Sequence, residues 1–147
     1  MPLHDNYESN LAEGKEFEDF VFDTLQHDLY IVPCGYKSRH YQTVHGESMT
    51  GVEVKLDKKF RESGNLFVET AETHHASSPM KPSGIYHHVD PWLVVIGDKS
   101  TFWAFAAKHL RSEHKSGRFR EVSTPTSRGF LLPMADAERI SAFKWEA

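Results

Sequence analysis

The chain has 147 residues, 39% of them hydrophobic, with one cysteine and a formal net charge of −4. That length predicts a single domain over 1–147, with residues 1–10 polar and loosely ordered. The charge excludes a globally basic nucleic-acid binder, so any phosphate-binding surface must be local. The lone Cys34 excludes an internal disulfide and fits a reducing, cytoplasmic setting, and no run approaches the roughly 18 apolar residues of a membrane span.

Ser9 or Asn10 can cap a helix running to about His27. At about 100° per residue, Phe17, Phe20, Val21, Phe22 and Leu25 form one apolar arc. Glu18 falls inside that arc, where an uncompensated carboxylate is costly. Either it snorkels out past its neighbours or it points to a site beneath the helix. Residues 29–34 read as a strand broken by Pro33-Cys34-Gly35, and residues 36–45 as a further strand or a loop.

Gly51-Val52-Glu53-Val54-Lys55-Leu56-Asp57 alternates strictly, as a half-buried strand does. Val52, Val54 and Leu56 take one face; Glu53, Lys55 and Asp57 take the other. After a turn at Ser63-Gly64-Asn65, residues 65–71 read as an adjacent strand carrying Glu69. Residues 73–84 form a loop rich in Ser, Pro and His, part of which a short helix can cover. Residues 92–96 read as a central strand, and Gly97-Asp98-Lys99-Ser100 turns the chain into its hairpin partner over 102–106, with Trp92 and Trp103 in the core. A basic segment with Arg111, Lys115, Arg118 and Arg120, joined by Arg128, is either a phosphate-tracking strip or a solvated loop, and the loop is favoured. A short strand at 130–132 and a helix from Ala135 to Phe143 close the chain. The order predicts an α+β (mixed α/β) fold: a central mixed sheet of about five strands, flanked by an N-terminal and a C-terminal helix.

Two carboxylates and a lysine on neighbouring strands can hold a divalent metal and set a water against phosphate. The plainer alternative is that this face is the wet side of a sheet. The paired histidines His74-His75 and His87-His88 offer a rival zinc site, but they lack metal-ligand spacing and adjacent histidines on an extended chain point apart. No nucleophile elbow surrounds Ser83 and no phosphate-binding glycine loop is present.

The element order, Glu53-Val54-Lys55, Glu69 and the helical Gly14-Lys15-Glu16-Phe17-Glu18 together resemble the PD-(D/E)XK nuclease superfamily over roughly residues 13–107. Gly46-Glu47, Gly51 to Asp57, Glu69 and Ser83-Gly84-Ile85 are also similar to a run in phage- and bacterium-encoded proteins of unassigned function. The resemblance implies a restriction-endonuclease-like core and a Mg²⁺-dependent endonuclease, with Mn²⁺ as substitute, acting on DNA; a chain this small is expected to cut duplex as a homodimer. It implies metal ligation by Glu53 with Glu69 or Glu47, water orientation by Lys55, and supporting roles for Glu18 and Asp57.

Two registers fit the signature. In one, Glu47 is the acid preceding Glu53-x-Lys55; in the other, Glu53 and Glu69 are the acids, and Ala71 stands where the lysine is expected. The missing lysine at Ala71 and the absence of a Pro-Asp pair keep open a nuclease-like fold without catalysis, serving as a DNA-binding or assembly subunit. A third alternative is an interaction protein.

Overall fold

Helix α1 runs Leu3–His27 in a computed structural model that describes residues 3–29, 51–88 and 90–147. Glu47 and the strands expected over 29–34 and 36–45 lie outside those residues, apart from Leu29. The helix begins at Leu3 and not at Ser9 or Asn10, because no glycine or proline interrupts residues 3–13. Phe17, Val21, Phe22 and Leu25 are buried as the apolar arc requires. No described helix is long and apolar enough to cross a membrane.

The remaining elements are β1 (Val52–Leu56), α2 (Phe60–Ser63), β2 (Asn65–Glu72), β3 (Lys81–Pro82), a 3-10 turn (Gly84–Tyr86), β4 (Leu93–Gly97), β5 (Thr101–Ala106), α3 (Ala107–Lys115), β6 (Glu121–Ser123), β7 (Ser127–Pro133), α4 (Met134–Ile140) and β8 (Phe143–Glu146). The fold is mixed α+β with terminal helices, but the strands form two four-stranded sheets, ordered β1-β4-β5-β8 and β3-β2-β7-β6, instead of one sheet of about five. The unforeseen β3, β6 and β8 are too short to show a period of their own.

β4 is the centre of the first sheet. β1 lies parallel to it and β5 antiparallel. All five of its residues are buried, because both faces are covered. Leu93 and Val95 join Val52, Val54, Phe102 and Ala104 against Phe17, Val21, Phe22 and Leu25 of α1. Val94 and Ile96 turn the other way, with Trp103 and Phe105, onto Leu66, Val68, Phe130 and Leu132 of the second sheet. The layers are therefore helix, sheet, sheet. Each large side chain buried in these two cores stabilises by about 1.5–3 kcal/mol relative to exposure.

Trp92 departs from expectation. It precedes β4, is 55% exposed and lies against Gly51, where a Cβ would sit 2.3 Å from its Cδ1. The C-terminal helix stops at Ile140, not Phe143. Phe143 and Trp145 alternate as strand residues, and Trp145 packs against Phe20 at 5.3 Å and Phe102 at 5.2 Å between ring centroids. The basic segment is helical only as far as Lys115, and two of its cations, Arg111 within the helix and Arg118 beyond it, serve the fold. Arg111 donates to the Ile85 carbonyl at 3.0 Å, and Arg118 to Asp136 at 3.1 Å.

Asp98 closes the β4–β5 hairpin. Its Oδ1 accepts the N–H groups of Ser100 and Thr101 at 2.9 and 3.0 Å, and Arg61 of α2 pairs with both carboxylate oxygens. Burial alone would push this carboxyl up; the bonds from Arg61, Thr101 and Ser100 outweigh it and hold it below the ordinary aspartate range. A lowered folded pKa means the stabilisation is complete above the unfolded-state value and is lost as pH falls through the folded one. Asp98→Ala should therefore cost about 1–2 kcal/mol in urea denaturation at neutral pH, and the gap from wild type should shrink on acidification.

Candidate functional site

β1 and β2 were expected to be neighbours in one sheet. They belong to different sheets, β1 at the edge of the first and β2 between β3 and β7 in the second, and no backbone ladder joins them among the described residues. The side chain of Asp57 supplies the junction. Its Oδ2 accepts the Phe67 N–H at 2.9 Å and its Oδ1 the Lys59 N–H at 2.9 Å. Asp57 was expected as a supporting metal ligand; each of its oxygens receives a backbone donor, so the carboxylate ties the two segments together.

Two residues back along β1 and two forward along β2, Lys55 meets Glu69. The segments therefore run antiparallel side by side. Lys55 Nζ lies 3.3 Å from Glu69 Oε2 and 3.2 Å from Glu53 Oε1, so one ammonium serves two carboxylates. Glu53 is only 8% exposed, so this face is not the solvated side of a sheet. Both carboxylates lose hydration here, and the shared ammonium offsets their repulsion.

Glu69 is held from behind. Ser83, 2% exposed, donates its hydroxyl to Glu69 Oε2 at 3.0 Å, and its backbone N–H bonds the Thr70 carbonyl at 3.1 Å. Gly84 follows at φ +56, where a Cβ would sit 2.2 Å from the Glu69 carbonyl oxygen, so only glycine fits. The register against β7 shifts between Glu69 and Ala71. Such a bulge re-aims the strand beside a site. Sequence reasoning saw Ser83-Gly84 only as the end of a loop and part of a shared run. No sequence pattern shows that its hydroxyl reaches a strand residue 14 positions away.

A groove of about 500 Å³ opens beside Lys55 and Glu69, with Lys58, Lys59, Phe67 and Leu131 among its walls. On the other side of Lys55, a smaller hollow of about 310 Å³ is lined by Glu18, Lys15 and Lys58. Glu18 is half-buried and turned to the site's side of α1, next to Lys55 and not in the groove with Glu69. The structure thus brings Glu53, Lys55 and Glu69 together, although β1 and β2 are not the adjacent strands of one sheet that the second register supposes. Glu47 and the first register lie outside the described residues.

Among the described residues no three His, Cys, Asp or Glu side chains come together closely enough to hold a metal. The donor set of Glu53 and Glu69 nevertheless suits Mg²⁺, a hard ion that takes oxygen ligands and commonly only one or two carboxylates, keeping waters and substrate phosphates for the rest. The four loop histidines line a separate cavity of about 670 Å³, with the His87 and His88 ring centroids 4.4 Å apart. Tyr86 is hydrogen-bonded to His114 Nδ1 at 2.7 Å.

Lys55→Met removes the cation from between two largely buried carboxylates. It should cost about 1–3 kcal/mol in urea denaturation, and adding Glu53→Gln should recover part of that loss. A neutral Lys55→Met would show that the carboxylates do not depend on the ammonium. No protein-family model, curated protein or solved structure matches the chain, so the reading of the site rests on its own geometry.

Proposed function

We propose that this chain is a divalent-metal-dependent nuclease of the PD-(D/E)XK type, hydrolysing phosphodiester bonds of DNA in a cytoplasmic setting. The observation that carries the reading is the Lys55 ammonium set between the Glu53 and Glu69 carboxylates, with Lys55 and Glu69 lining an open groove. Glu53 and Glu69 would hold Mg²⁺ or Mn²⁺. When bound, the ion supplies Lewis acidity and a water of lowered pKa.

The chain's own residues do the rest. Lys55 can donate to a phosphate oxygen or to the attacking water and offset charge that builds during displacement. Ser83 and Gly84 hold the Glu69 carboxylate in one orientation. Asp57 keeps β1 and β2 at the spacing that lets one lysine reach both acids. Glu18, beyond Lys55, would act on the site through that lysine. Clustered acids repel phosphate, and Lys58 and Lys59 on the groove wall oppose that repulsion.

Ala71 favours a second reading. With no lysine there, Lys55, from the neighbouring segment, serves both acids. A fold of this kind can bind DNA without cutting it.

The test is cleavage of plasmid DNA by purified protein. It should proceed in Mg²⁺ or Mn²⁺, stop in chelator, and fall by about 10²–10³-fold in Glu53→Gln and in Lys55→Met variants with unchanged circular dichroism. Cleavage that survives Glu53→Gln, in a preparation free of contaminating nuclease, would reject the assignment. Salt-sensitive DNA binding with no cleavage in any divalent ion, unchanged in Glu53→Gln, would select the non-cutting reading.

A further inference from the structure

Phe67 has no part in the chemistry proposed above, yet its setting is unusual. It lies two residues before Glu69 on the same outward face of β2 and opposite Leu131 of β7. A phenylalanine there could stand off the sheet. Instead its ring lies across Gly129: a Cβ at that position would sit 2.7 Å from Phe67 Cζ and 2.8 Å from Cε2. The missing side chain makes the space in which the ring settles. The ring is partly exposed and lines the groove that runs to Lys55 and Glu69, with the partly exposed Leu131 and Val122 beside it.

We propose that this groove takes an unpaired nucleotide, its base stacked on Phe67 and its backbone carried past Lys58 and Lys59 to Glu69 and Lys55. The proposal rests on the nuclease reading and deepens it by naming the substrate as single-stranded or locally unpaired nucleic acid. Three features converge on it. A ring laid on a sheet presents a platform that any base can use, and base–aromatic stacking is worth about 1–3 kcal/mol per base. Residues i and i+2 of a strand are about 6.5–7 Å apart, so a base on Phe67 brings an adjoining phosphate to Glu69. In a chain of net charge −4, the groove gathers three lysines, Lys55, Lys58 and Lys59, which is the local complement a phosphate backbone needs. A paired base has both faces occupied by its stack, so duplex cannot use the platform until a base is extruded.

The test is fluorescence anisotropy of one labelled oligonucleotide as single-stranded DNA, as single-stranded RNA and as blunt DNA duplex, with Ca²⁺ replacing Mg²⁺ to prevent turnover. A single strand should bind at least about 10-fold tighter than duplex, and the tighter of the two single strands names the sugar. Phe67→Ala should weaken single-strand binding about 5- to 100-fold, whereas Phe67→Tyr, which keeps the ring, should retain it. A 2-aminopurine in the strand should be quenched by wild type and by Phe67→Tyr but not by Phe67→Ala. Equal affinity for duplex, or single-strand affinity unchanged in Phe67→Ala, would overturn the proposal. Plasmid cleavage by the same preparations keeps the two readings apart. Metal-dependent cleavage alongside either of those results leaves the nuclease standing and removes only the platform.

Discussion

Asp57 carries the junction on which the site depends. Its carboxylate receives the Phe67 N–H from a strand that belongs to the other sheet. A carboxylate accepting backbone donors is a charge-assisted contact, stronger and more directional than one between neutral groups. Because it sits one position past the end of β1, it fixes the relative register of β1 and β2 without a ladder. Lys55 then falls opposite Glu69, and Glu53 is carried to the far side of the same ammonium. A shift of either segment by one residue would turn Lys55 or Glu69 to the opposite face.

The rest of the architecture makes this corner rigid on one side and open on the other. α1 and the first sheet close one core behind Val52 and Val54, and the two sheets close another behind Leu66 and Val68. Glu53 and Glu69 thus project from strands whose opposite faces are fully packed. Side chains held in this way are pre-organised, and the cation between them offsets the repulsion of two desolvated like charges. Ser83 and Gly84 add a second restraint to Glu69, and Arg111 ties the following turn to α3. Phe67 and the groove lie on the outward face of β2.

What the sequence disclosed follows from which forces are local. The alternation through Val52 to Asp57, the apolar arc of α1 and the continuous run of β4 are local signals, and each element forms, though α1 begins earlier, at Leu3, and β4 one residue later, at Leu93. The residues that converge, Glu53, Lys55 and Glu69, could be named from alternation alone. Their mode of convergence could not, because the choice of β4 instead of β2 as the ladder partner of β1 is settled by distant packing. For the same reason alternation left open whether Glu53 sat on a wet face or at a site, and its burial, at 8% exposed, decides against the wet face. Trp92 looks like core in an apolar run, yet it precedes the strand and covers Gly51. Ser83 could be found only by its contact with Glu69, since nothing in a loop of Ser, Pro and His marks one hydroxyl as buried.

The central claim is that Glu53 and Glu69 form one divalent-cation site across the two sheets. Binding of Mn²⁺, followed by loss of the free-ion electron paramagnetic resonance signal, tests it without substrate or turnover. The account predicts one site in the wild-type chain, weakened at least about 10-fold by Glu53→Gln and likewise by Glu69→Gln. Mn²⁺ binding that is unchanged in both variants, or no binding by the folded wild-type protein at millimolar ion, would contradict it.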